Sequence, residues 1–128
     1  MVFDNRYKLL IESEQASQES IRITEEIVDL IEKKYQIKLD ESNGASLVTH
    51  LAITIKKLNL KECLTEIPEI GMTEAFSYRE EMEFAGKLTC YLKKSYQIDF
   101  NRSEVAFLAI HLRNISQHLE RKEEGIIK

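Results

Sequence analysis

The chain has 128 residues, 43% of them hydrophobic and 31% charged, with a net charge of −4. That size suits one domain with one core, and the acidic balance argues against unspecific nucleic-acid binding, which needs a basic surface to release counterions. Four glycines and one proline leave few breaks, which favours long helices over a strand-rich fold.

Phe3, Tyr7, Leu10 and Ile11 recur at intervals of three or four, predicting an amphipathic helix over residues 3–13. Residues 1–18 are too short for a second domain and read as a helical lead or linker. The first main helix is expected from Ser20 to Tyr35. Its core stripe is Ile23, Ile27, Leu30, Ile31 and Tyr35, with Glu25, Glu26, Asp29, Glu32 and Lys33 facing water. Asp40 to Gly44 reads as a turn in which Ser42 or Asn43 can cap the next helix. That helix, Ala45 to Leu60, presents Leu47, Leu51, Ile55 and Leu58 to the core.

Leu64 to Thr73, with Pro68 and Gly71, predicts a short helix or loop joining the two halves. A helix over Glu74 to Tyr96 follows, striped by Tyr78, Met82, Ala85, Leu88, Tyr91 and Leu92, with Gly86 marking a close helix crossing. Asn101 or Ser103 caps the last helix, which should stop near Arg121 or Lys122, with Gly125 as the stop signal. The expectation is an all-α five-helix bundle over 19–122, built from two related hairpins, with 123–128 a frayed tail.

Two hairpins are expected because the chain repeats itself. Displaced by 61 residues, Lys33 to Leu58 falls on Lys94 to Leu119 without a gap, and ten of 26 positions are identical. Among them, His50 falls on His111.

Each histidine sits on the edge of an apolar stripe, His111 three after Leu108 and four after Phe107. One reading is a partly buried side chain that fixes helix packing; for a lone histidine it ranks first. The other is a nucleophile: neutral imidazole can accept a phosphoryl group near pH 7, bringing nearly two negative charges to a packing edge. Arg79, Arg102 and Arg113 are candidate counter-charges, although each taken alone reads first as a surface solubiliser. His118 has polar neighbours and reads as a surface residue.

Other chemistries lack their residues. No set of ligands converges at metal spacing, and Glu104 reads as a first-turn carboxylate, so no metal or cofactor is expected. There is no GxSxG or Cys-His signature, no Gly-rich phosphate loop, and the pair Glu80-Glu81 reads as a solvated face. Cys63 and Cys90 suit two reduced thiols, and neither a secretory leader nor a spanning apolar run is evident, so the expected location is the cytoplasm.

Three stretches together resemble the PTS regulation domain (PRD), the phosphorylatable module of bacterial sugar-operon antiterminators and activators. They are Leu47 to Lys57, Phe84 to Leu88 and Glu104 to Leu112, within a resemblance covering about 19–120. The resemblance implies a five-helix bundle that usually dimerises. It also implies that His50 and His111 match the two regulatory histidines, which take phosphate from the phosphocarrier HPr or an enzyme II component. Phosphate would then change dimer packing and the output of an effector. The family often carries Asp just before its first histidine and Arg seven after it, where this chain has Thr49 and Lys57. Loss of that Asp removes a partner for the imidazole and ranks His111 ahead of His50.

The resulting expectation is a non-catalytic, dimeric regulator of sugar-related transcription. It would stand alone as a single module and act through an effector protein in trans, with no direct contact to nucleic acid or membrane. The first rival is a PRD-fold interaction module that is no longer phosphorylated, which Thr49 and Lys57 favour. A histidine-using enzyme ranks third, since no substrate-binding constellation accompanies the histidines.

Overall fold

Ser17 and Ser20 start the first long helix by capping each other. The Ser17 hydroxyl accepts the Ser20 N–H at 3.0 Å, and the Ser20 hydroxyl accepts the Ser17 N–H at 2.9 Å. This reciprocal box satisfies two amides that the helix cannot pair itself. In the computed structural model, which describes the backbone of residues 2–59 and 74–127 and the side chains among these up to 117, five helices are defined. They are α1 (Asp4–Glu12), α2 (Gln18–Tyr35), α3 (Ala45–Asn59), α4 (Arg79–Tyr96) and α5 (Arg102–Ile127). No strand occurs among the described residues, and the fold is all-α. The expected connection over 64–73 lies outside them, as does Cys63; Cys90 is an exposed free thiol.

The chain divides into two compact units, Met1–Leu64 and Thr65–Lys128. In the first, α2 packs on α3, and α1 lies against α3. Ile23, Ile27 and Ile31 from α2 and Leu47, Leu51 and Ile55 from α3 are fully buried, each contributing roughly 1.5–3 kcal/mol. The expected stripe is shifted slightly: Thr24 and Val28 are buried, while Leu30 and Leu58 are only half-buried. The turn before α3 is tied by its own side chains. Asp40 accepts from the Ser42 N–H and hydroxyl at 2.8 and 2.5 Å, and Asn43 accepts the Asp40 N–H at 2.7 Å.

In the second unit, α4 packs on α5. Ala85, Leu88 and Leu92 from α4 and Leu108, Ala109, Leu112 and Ile115 from α5 are buried. Asn101 is the α5 cap, its side-chain oxygen accepting the Glu104 N–H at 2.8 Å.

Three expectations are corrected here. The helix expected over 74–96 is broken: residues 74–77 are helical, but Tyr78 leaves helical geometry at φ −93°, ψ 73°, and α4 starts at Arg79. Gly86 marks no close crossing, since a Cβ there would meet nothing within 4 Å. Gly125 does not stop α5, which continues to Ile127.

Candidate functional site

The two histidines occupy equivalent places because the two hairpins are equivalent. Helix α2 maps onto α4 from its first residue to its last under the 61-residue displacement, each having 18 residues. Each ends on a glutamine in left-handed geometry, Gln36 at φ 54° and Gln97 at φ 59°. The chain then enters α3 or α5, where His50 and His111 are both half-buried and each precedes a fully buried leucine, Leu51 or Leu112.

Their immediate surroundings differ. One turn after His50 stands Thr54, whose hydroxyl is 3.5 Å from His50 Nε2, at the outer limit of a hydrogen bond. The equivalent residue after His111 is Ile115, which is buried. One turn before His50 is the exposed Ser46; one turn before His111 is Phe107, whose ring centroid lies 5.4 Å from the imidazole at 44°. His50 therefore sits between hydroxyl side chains and His111 between apolar ones. Nε2 of His111 is buried, so a bulky group can reach that atom only if the ring turns outward.

Arg79, Arg102 and Arg113 are not gathered around His111 by the contacts they make. Arg113 follows His111 by two residues and so points about 200° away around α5. It is 3.6 Å from the Glu81 carboxylate, which also accepts from Ser116 at 3.3 Å, and its guanidinium lies 5.4 Å over the Tyr78 ring. Glu81 is thus buried, not part of a solvated face as expected. Arg102 lies nine residues before His111, about 180° away, and stacks over Phe76 at 4.8 Å. Arg79 is exposed in the first turn of α4. The His118 side chain lies outside the described residues.

Sequence reasoning missed the polar cluster beside His50. Helix α1 runs alongside α3 in the same direction, held at three levels. Phe3 is buried against the turn, where a Cβ on Gly44 would come 3.3 Å from its ring. Arg6 grips Glu41 through Nε and Nη2, the shortest bond 2.7 Å, and donates from Nη1 to the Thr49 hydroxyl at 3.0 Å. Lys56 donates to the Glu14 carbonyl. The Arg6 guanidinium holds the Glu41 carboxyl below the usual carboxylate range. Thr49, standing where the family often has Asp, is therefore engaged by a cation on the residue immediately before His50.

Helix α1 also covers Glu25, which the α2 periodicity placed in water. Burial raises the Glu25 carboxyl above its ordinary range, the neighbouring Asp29, Glu32 and Asp4 add to the rise, and the Tyr7 hydroxyl beside it pulls the other way. Burial together with that carboxylate raises the Tyr7 phenol in turn. No sequence signal pairs Tyr7 with Glu25, because the pairing depends on how α1 docks.

Among the described residues, no group of three or more His, Cys, Asp or Glu could hold a metal ion, and no helix is long and apolar enough to cross a membrane. A family model described as PRD domain matches residues 25–115. No curated protein and no solved structure matches the chain.

Proposed function

The chain belongs to the PRD family, and from that membership we propose that it is a non-catalytic phosphohistidine module of the bacterial phosphotransferase system. His111 is the main phosphoryl acceptor and His50 the second. The donor is HPr or an enzyme II component. The phosphorylated state alters packing between two copies of the chain and, through an effector protein in the cytoplasm, sugar-related transcription.

The observation that supports this reading most is the matched placement of His50 and His111, each half-buried, in hairpins whose first helices correspond end to end. A packing histidine could occur once by chance of sequence; two at equivalent edges suit a shared use. Neutral imidazole attacks phosphorus directly, so the transfer needs no metal or triad in this chain. The charge gained, nearly two units, is large for a helix edge and can bias a two-state interface.

A second reading is a PRD-fold interaction module without phosphorylation. It is favoured by Thr49, whose hydroxyl is bonded to Arg6 where an acidic partner for His50 would stand. Incubation with phosphoenolpyruvate, enzyme I and HPr, followed by intact mass at neutral pH, separates the two. A phosphate-sized gain is expected. No gain while HPr itself is phosphorylated, and none with sugar-specific enzyme II components, would leave the second reading.

A further inference from the structure

We propose that Arg6 is a positioning residue for a phosphoryl group on His50, and that α1 is the strap through which that charge is felt. The inference rests on His50 being a phosphoryl acceptor, as in the proposed function.

The geometry that carries it is the seat of the Arg6 guanidinium. Its fork lies on Glu41, in the turn before α3, and its remaining arm reaches the Thr49 hydroxyl at 3.0 Å. Thr49 and His50 are consecutive residues, with Cα atoms about 3.8 Å apart and side chains about 100° apart around α3. A phosphoryl group on His50 would thus stand well inside the roughly 10 Å over which charges interact at moderate salt. It would carry nearly twice the charge of the Glu41 carboxylate and three acceptor oxygens instead of two.

The present pair can be exchanged. The Arg6 and Glu41 side chains are 35% and 50% exposed, and ion pairs that exposed are weak. The Thr49 bond is to a neutral hydroxyl and weaker than a bond to an anion. Phe3 and Lys56 hold α1 alongside α3 at either end, so Arg6 can change partners without losing its place. When it does, Glu41 loses its cation, and the middle of α1 is released from the turn.

Arg6 would also protect the phosphate. Hydrolysis of phosphohistidine proceeds as electrons on the phosphoryl oxygens expel the ring nitrogen. A guanidinium bonded to those oxygens withdraws that density and slows the loss. Glu41 competes for the same guanidinium, so the two residues should act in opposite directions.

The test uses the full chain and phosphoramidate, a small donor that needs no carrier protein. Its P–N bond breaks as the imidazole N–P bond forms, and ammonia leaves. The lifetime of the His50 phosphate, followed by peptide mass mapping at neutral pH, is compared for wild type, Arg6→Gln, Arg6→Lys and Glu41→Gln. The expected result is a several-fold shorter lifetime in Arg6→Gln, recovery in Arg6→Lys, and a longer lifetime in Glu41→Gln. A merely structural clamp predicts the same direction for Arg6→Gln and Glu41→Gln; that outcome, or no change in either, overturns the proposal. So does failure of His50 to accept phosphate from phosphoramidate. Acceptance from HPr with a lifetime indifferent to Arg6 would keep the proposed function and remove the strap. Arg6-dependent lifetime without acceptance from HPr or from enzyme II components would do the reverse.

Discussion

Gln36 and Gln97 hold the same unusual backbone, φ 54° and 59°, at the ends of α2 and α4, 61 residues apart. Each lies within the shared Tyr-Gln-Ile, and each is followed by an isoleucine whose N–H reaches back into the helix, Ile37 to Glu32 at 3.2 Å and Ile98 to Leu92 at 3.3 Å. The longest run of identity between the hairpins is therefore a helix terminator. A side chain in left-handed geometry costs about 1–2 kcal/mol that glycine avoids, partly offset by glycine's greater freedom in the unfolded chain. Gln36→Gly and Gln97→Gly should each stabilise the protein by about 0.5–1 kcal/mol in urea unfolding. Destabilisation by either would mean that the glutamine side chain itself matters.

Gly44 and Gly86 should respond oppositely to alanine. A Cβ on Gly44 would lie 3.2 Å from Leu39 Cβ and 3.3 Å from the Phe3 ring, so Gly44→Ala must push α1 or the turn aside. At Gly86 a Cβ meets nothing within 4 Å, and the residue is inside α4. Gly86→Ala should gain about 1 kcal/mol from helix propensity. Thermal unfolding of the two variants checks this, and a gain at position 44 would mean that α1 yields easily.

Glu25 should make stability depend on pH. Burial raises its carboxyl in the folded state, so the contribution of the protonated form is complete below the unfolded value and is lost as pH rises through the folded one. At neutral pH the ionised group is a cost. Glu25→Gln keeps the shape of the side chain beside Tyr7 and removes the charge. Its melting temperature should exceed the wild type's at pH 7, with the gap closing near about pH 4. A gap of the same size at both values would place the effect outside ionisation.

Arg113 should matter for stability and not for phosphate. It covers the buried Glu81 and points away from His111. Arg113→Gln should cost about 1–3 kcal/mol, the scale of leaving a buried acceptor poorly paired. It should leave the rate at which phosphoramidate modifies His111 within about twofold of wild type, a free-energy change of about 0.4 kcal/mol. A large loss of that rate with unchanged stability would restore Arg113 as a phosphate contact.

What the sequence made legible follows its local periods. Ile23, Ile27 and Ile31 declared the buried face of α2, the pair Asn101 and Ser103 declared a cap that the structure assigns to Asn101, and the repeat declared that His50 and His111 are equivalent. Ser17 was missed as the α2 cap because its partner is another serine, Ser20, and not the usual Glu or Gln. The break at Tyr78 was missed because the apolar period runs through it. The polar surroundings of the site were not legible at all. Arg6 meets Thr49 across 43 residues and Ser116 meets Glu81 across 35, and no period within one helix reports which charges a neighbouring helix brings.

The measurement that bears most directly on the account is an acceptor assignment. Wild type, His50→Ala, His111→Ala and the double variant are each incubated with phosphoenolpyruvate, enzyme I and HPr, then with enzyme II components added, and intact mass is read at neutral pH. The account predicts a phosphate-sized gain in wild type that is largely lost in His111→Ala and mostly kept in His50→Ala. A gain that survives the loss of both histidines together, or wild-type protein left unmodified by HPr and enzyme II components alike, would contradict it.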